Sequence, residues 1–287
     1  MQPQSGILDQ VLAQRQRVTE RLAHVKHVVA VMSGKGGVGK SALTANLAVA
    51  LGMRGRSVGV LDADIHGPSA AAMLGARGQT VEIGQDGARP AIGVANVSVM
   101  SMDLFLDGED TPVIWKHPGG LASDTYVWRG TLEANVLREF LGDTAWGALD
   151  FLLIDMPPGA DRFETLMRFI PDLSGGLVIT IPSRVSHQVV RRAIQSARMV
   201  EAPLLGLVEN MAGLTDPESG AIRELYPDGD GEKFAAELAI PYLGSVPFDP
   251  RLARDTDAGR PFVLNYSQSP AGEAIQRLAR TIEEVVR

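Results

Sequence analysis

The sequence contains no cysteine. That excludes disulfides and every thiolate-based metal centre built from this chain alone. It also leaves no sign of an oxidising compartment. Aromatic residues make up only 5% of the chain. No apolar run approaches the ~20 residues that a membrane helix needs. Residues Met1 to Gln10 lack the basic, apolar and small-residue succession of a signal peptide. A cationic excess is missing too. The formal net charge is −7, which argues against nucleic acid or an anionic membrane as partner. A soluble cytoplasmic protein is the expectation.

What is present is an ordinary apolar content of 45% in 287 residues. That suits one α/β domain with insertions. Residues 1–27 read as a helical leader, with Leu8, Val11, Leu12, Val18 and Leu22 as its apolar stripe from Leu8 to Val25. Residues 28–287 read as a nucleotide-binding domain. Apolar runs ending in acids alternate with helical patterns. This predicts a mostly parallel sheet with helices on both faces.

Gly34-Lys35-Gly36-Gly37-Val38-Gly39-Lys40-Ser41 fits G-x-x-x-x-G-K-[ST]. An apolar run (Val28 to Met32) enters it, and a helical pattern (Leu43, Leu47, Leu51) leaves it. That is the strand, loop and helix context of a phosphate-binding loop. Its glycines let consecutive N–H groups face phosphate oxygens, at a helix N-terminus that favours anions. Lys40 is expected to reach the terminal phosphates and Ser41 to ligate Mg²⁺. The loop from Gly34 to Ala42 is the expected ATP site.

Acids stand at two other strand ends. Asp62-Ala63-Asp64-Ile65-His66-Gly67-Pro68-Ser69 follows the run Val58 to Leu61. Asp64 is expected to hold the attacking water or the Mg²⁺ shell. Asp62 either fixes the loop or contacts a metal-bound water. Asp155 ends the run Phe151 to Ile154, before Met156-Pro157-Pro158-Gly159. It is the expected strand-end acid for Mg²⁺. Val208-Glu209-Asn210-Met211 ends the strand beginning at Leu204, where the Asn210 amide is placed to read adenine.

Between these anchors, residues Gly75 to Met100 predict a β-hairpin excursion and a sheet strand. Trp115 to Arg129, with turn chemistry at His117-Pro118-Gly119-Gly120, reads as an insertion, either packed on the domain or facing a partner. A helix is predicted from Leu132 to Leu141. Arginines 184, 191, 192 and 198 lie on a helix whose simplest reading is a solvated face. The last helix, Gly272 to Val286, has one apolar face and mixed charge opposite, as a docked helix would.

Lys35, directly after the first glycine, resembles the second lysine of the ParA/MinD/nitrogenase-iron-protein class of NTPases. The resemblance implies that Lys35 crosses a homodimer interface to the partner's nucleotide. The strings Asp62–Ser69 and Glu209-Asn210-Met211 narrow the match. The chain resembles the Mrp/NBP35 (ApbC/Ind1-like) P-loop ATPases from about Val28 to its end. That implies a SIMIBI/MinD-like fold, an ATP-sandwiched homodimer, slow hydrolysis, and transfer of iron–sulfur clusters to client proteins.

Several positions depart from the family pattern. Asp216-Pro217-Glu218-Ser219 stands where the family has C-P-x-C, and hard oxygen ligands suit an iron–sulfur cluster poorly. His66 stands for Tyr, Ala42 for Thr, and Ala160-Asp161-Arg162 for T-G-D. The N-terminal accessory domain of bacterial members is not expected. The absence of cysteine speaks against cluster binding and keeps a second function open, an ATP-gated interaction switch of the MinD/ParA kind without metal cargo. A kinase or synthetase using the same loop lacks a recognisable acceptor site.

Overall fold

The computed structural model describes residues 4–106, 125–159, 162–170, 172–227 and 229–286, with side chains from Leu12 onward except at a few further positions. The elements run α1 (Gln4–Leu22), β1 (Val25–Ser33), α2 (Lys40–Met53), β2 (Val58–Asp62), α3 (Ala70–Met73), β3 (Ile83–Gly84), β4 (Gly87–Ala88), β5 (Ala91–Ile92) and β6 (Ser98–Met100). After these come α4 (Thr125–Gly142), β7 (Leu149–Asp155), α5 (Arg162–Phe169), β8 (Gly175–Thr180), α6 (Arg184–Met199), β9 (Leu204–Thr215) and β10 (Ile222–Arg223). The chain closes with α7 (Gly231–Glu237), β11 (Tyr242–Phe248), α8 (Pro250–Asp257), α9 (Phe262–Asn265) and α10 (Pro270–Val285).

Among the described residues the main sheet has the order β10-β9-β8-β1-β7-β2-β6-β5, with β11 also on β9. The pairs from β9 through β8, β1, β7 and β2 to β6 are parallel, and β11 pairs parallel to β9. Only the ends, β10 and β5, run antiparallel. Strands covered on both faces must be apolar at every position, which is why β1, β7 and β8 read as continuous hydrophobic runs. The two-residue period then sorts them. Val29 and Val31 enter the core under α2 and α10, while Val28, Ala30 and Met32 enter the core under α4, α5 and α6. Each of these valine and methionine side chains contributes about 1.5–3 kcal/mol on burial.

The predicted elements shift in places. β1 begins at Val25, so the leader boundary at residue 27 falls inside a strand. The leader helix itself packs on α4, with Val18 buried. The predicted hairpin is β3–β4, and residues 94–96 form a 3-10 turn before the strand β6. α4 starts at Thr125, not Leu132, so the last residues of the presumed insertion, including Trp128, are helix. Trp115 and the His117–Gly120 turn lie outside the described residues, as do the acidic loop at 107–110 and residues 160–161. α10 docks on β11 and α2 as expected, capped by Ser269, whose hydroxyl accepts the Gly272 N–H at 3.2 Å.

The arginines of α6 lie on its solvated face, where Arg184, Arg192 and Arg198 are exposed, and two of them also reach α7 and its C-terminal end. Arg191 pairs with Glu237 of α7 at 2.8 Å, and Arg198 donates to the Leu238 carbonyl.

Candidate functional site

β1, β7 and β2 lie side by side and deliver their C-terminal ends to one place. That is where open α/β sheets bind ligands. Beyond those ends lies a cavity of about 260 Å³, lined by residues 35–42 together with Ser33, Asp64, Ser69, Met73 and Pro158. Sequence-predicted residues Lys35, Gly36, Gly37, Val38, Gly39, Lys40, Ser41, Ala42 and Asp64 thus share one cleft.

Two glycines of the loop have distinct steric reasons. A Cβ on Gly34 would lie 2.7 Å from the Val190 backbone nitrogen, so the close approach of α6 needs a bare backbone. Gly39 has φ 75°, in the left-handed region that favours glycine. The Ser33 hydroxyl donates to the Lys35 carbonyl at 3.0 Å and ties the loop to the strand before it. The Lys35 ammonium makes no ion pair among the described residues.

Lys40 is 7% exposed and its ammonium lies 2.5 Å from Asp155 Oδ1. It also lies 3.2 Å from Ser41 Oγ. Asp155 is fully buried, and its Oδ2 has no hydrogen-bond partner among the described residues. Thr44, one helical turn after Lys40, places its hydroxyl 3.1 Å from Asp155 Oδ1 and 2.9 Å from the Lys40 carbonyl. Sequence reasoning missed Thr44. The signal was a hydroxyl four residues after the loop lysine, on the helix face that meets the end of β7.

Asp62 pairs in register with Asp155 on the neighbouring strand. Its Oδ2 accepts the Ser69 N–H at 2.8 Å, the Ala70 N–H at 2.9 Å and the Ser101 hydroxyl at 3.0 Å, while Oδ1 accepts the Asp64 N–H at 3.2 Å. Both oxygens are therefore engaged in holding the loop from Asp64 to Ala70. Burial and then the nearby Asp155 charge push the Asp62 carboxyl up to about 7. Asp64 Oδ1 accepts the Gly67 N–H at 3.2 Å, and His66 Nε2 meets Glu133 Oε1 of α4 at 2.7 Å.

Asn210 does not stand at a strand end, because β9 continues to Thr215. Its amide donates to the Val38 carbonyl at 2.8 Å, and the residue is 8% exposed. One N–H of the amide expected to read adenine thus braces the phosphate loop. Glu209 points its carboxyl toward α7. Burial, then Asp230, pushes it up to about 7.

The stretch Asp216–Ser219 closes the turn between β9 and β10. Asp216 Oδ1 accepts the N–H groups of Glu218 at 3.0 Å and Ser219 at 2.9 Å. Those bonds, Ser219 first, hold its carboxyl below the usual range. Among the described residues no group of three or more His, Asp or Glu side chains is placed to hold a metal ion. No helix among them is long and apolar enough to cross a membrane.

Comparison with known proteins agrees with this fold. The chain matches the ParA family, described as the NUBPL iron-transfer P-loop NTPases, over residues 24–123 and 119–283. It is 40% identical to an iron–sulfur cluster carrier protein of Saccharolobus solfataricus, across 96% of this chain and 90% of that protein. It is 39% identical to the cytosolic Fe-S cluster assembly factor NUBP2 of Bos taurus, across 91% and 93%. A nucleotide-binding protein of Archaeoglobus fulgidus, solved in complex with ADP, superposes with a TM-score of 0.71 at 34% identity, covering 86% of this chain and 92% of that one. The cell division ATPase MinD of Pyrococcus furiosus shares the fold, with a TM-score of 0.61 at 24% identity over 91% and 99% of the two chains.

Proposed function

The chain belongs to the NUBPL iron-transfer P-loop NTPase family, and on that premise we propose a Mg²⁺-dependent ATPase that works as a homodimer closed around nucleotide. The observation that carries this reading is the buried Lys40–Asp155 pair behind an open phosphate loop. Phosphate oxygens entering the cavity compete with Asp155 for the Lys40 ammonium, while loop N–H groups take the remaining charge. The Ser41 hydroxyl and the unpartnered Asp155 Oδ2 suit a hard divalent cation that keeps most of its waters. Mg²⁺, when bound, supplies charge neutralisation on the transferring phosphoryl group. Asp62 holds the loop that carries Asp64, and Asp64, lining the cavity, orients the attacking water. Lys35, with no ion pair of its own among the described residues, is the group proposed to reach the partner's nucleotide. Such positioning and electrostatic stabilisation are most of what phosphoryl transfer needs from a protein.

The relatives' names make iron–sulfur proteins the proposed client class. The absence of cysteine favours ATP-gated capture of a client over carriage of a cluster on this chain's own side chains. Asp216, the nearest stand-in for a family ligand, is occupied by its own turn. Sizing with and without ATP, beside anaerobic reconstitution with iron and sulfide, tests both halves. An ATP-driven monomer-to-dimer shift, lost in Lys35→Ala, with no cluster absorbance after desalting, is the expected result. Absorbance that survives desalting with stoichiometric sulfide would return the cluster to this chain. A sizing profile that ATP does not change would remove the dimer.

A further inference from the structure

Asp155 carries two oxygens with opposite fates. Oδ1 receives both the Lys40 ammonium and the Thr44 hydroxyl, and Oδ2 receives nothing among the described residues. The Thr44 hydroxyl has one proton and two acceptors in reach, the Lys40 carbonyl at 2.9 Å and Asp155 Oδ1 at 3.1 Å. Thr44 is 1% exposed, so no solvent replaces either bond. Both donors to Oδ1 sit on α2, and the carboxylate they hold sits at the end of β7.

The consequence appears when Lys40 moves. A phosphate that takes the ammonium removes one of the two donors from Oδ1. The buried carboxylate beside Asp62 would then be free to rotate about its side-chain bonds. The Thr44 proton is the donor that stays, because its carrier is fixed to the helix and its alternative acceptor is already a helical backbone carbonyl. We propose that Thr44 is a positioning residue that holds Asp155 by Oδ1 and so presents Oδ2 for the divalent cation of the nucleotide complex. The inference rests on the reading of Asp155 as the Mg²⁺ acid. Thr44 itself does not line the cavity.

The test is ADP affinity measured by calorimetry across a Mg²⁺ titration and again in EDTA, for Thr44→Val, Thr44→Ala, Thr44→Ser and Asp155→Asn. Loss of an outer hydrogen bond to a metal ligand typically weakens metal affinity ~10–100-fold. Thr44→Val and Thr44→Ala should therefore raise the half-saturating Mg²⁺ concentration about tenfold, with affinity in EDTA within about twofold of the unaltered protein. Thr44→Ser keeps the hydroxyl and should restore the Mg²⁺ dependence. A merely structural role would lower affinity in EDTA as well, and serine would not correct it selectively. Wild-type Mg²⁺ dependence in Thr44→Val, with the Mg²⁺ effect lost in Asp155→Asn, overturns the role of Thr44 and leaves the reading of Asp155 standing. An unchanged Mg²⁺ effect in Asp155→Asn overturns both. If circular dichroism shows Thr44→Val unfolded, the alanine and serine pair decides by the same criteria.

Discussion

Lys40 and Asp155 form a buried ion pair of 2.5 Å across the phosphate loop, between the first residue of α2 and the last of β7. The pair binds two elements that the nucleotide must later share. Asp62, in register with Asp155 on the next strand, adds a second buried carboxyl beside the one that Lys40 neutralises.

Removing that cation should therefore cost stability as well as binding. Breaking a buried pair by deleting one partner typically costs about 3–5 kcal/mol. Lys40→Ala is expected to lower the unfolding free energy by about 3 kcal/mol and to abolish ATP binding. Adding Asp155→Asn removes the stranded charge and should recover most of the stability, with binding still absent. Urea denaturation beside nucleotide titration checks this. A double variant no more stable than Lys40→Ala would mean that the pair contributes little to the fold.

Asn210 supports a second test, because two roles predict different losses. As a brace, its amide satisfies the Val38 carbonyl. Asn210→Ala then leaves that buried acceptor unpaired, at about 1–3 kcal/mol, and weakens ATP and GTP alike. As an adenine reader, the same variant would weaken ATP selectively and leave GTP unchanged. The brace predicts an equal loss of about tenfold, near 1.4 kcal/mol for both nucleotides. Gly39→Ala should mimic it, since its Cβ would stand 2.5 Å from the Asn210 amide nitrogen at a φ of 75°.

The difference between what was and was not legible in the sequence follows from range. The loop from Gly34 to Ser41 was legible because its chemistry is local, a run of backbone groups with a lysine and a serine at fixed spacing. The order of the central strands was not legible, but their burial was, since strands covered on both faces demand the continuous apolar runs found at β1, β7 and β8. Thr44 and Ser101 were missed because a hydroxyl acquires its role only when another element arrives: Asp155 on β7 for Thr44, Asp62 on β2 for Ser101. Asn210 was placed at a strand end because Met211 to Thr215 lack a strong apolar pattern. The strand persists there because β11 continues to pair with it as far as Leu214. The start of α4 was missed because Gly130 counts against a helix and Trp128 favours one only weakly.

The last prediction concerns pH and lies away from the phosphate loop. Glu209 is 6% exposed, with Oε1 unpaired among the described residues and its carboxyl pushed up to about 7 by burial and then by Asp230. The folded state therefore holds a proton that the unfolded chain releases near the ordinary glutamate value of 4.5. Below that value both states are protonated and Glu209 makes no pH-dependent difference. As pH rises from there toward 7, the folded state binds more protons, so stability falls, by at most about 1.4 kcal/mol per pH unit. Above 7 the loss is complete and the curve flattens. Glu209→Gln keeps the shape and removes the ionisation. Its advantage over the unaltered chain should grow through that window and then stay constant at pH 8. Asp62 titrates in the same range in both proteins, so the difference between the two unfolding curves isolates Glu209. A difference that does not change with pH would mean that this carboxyl titrates normally despite its burial.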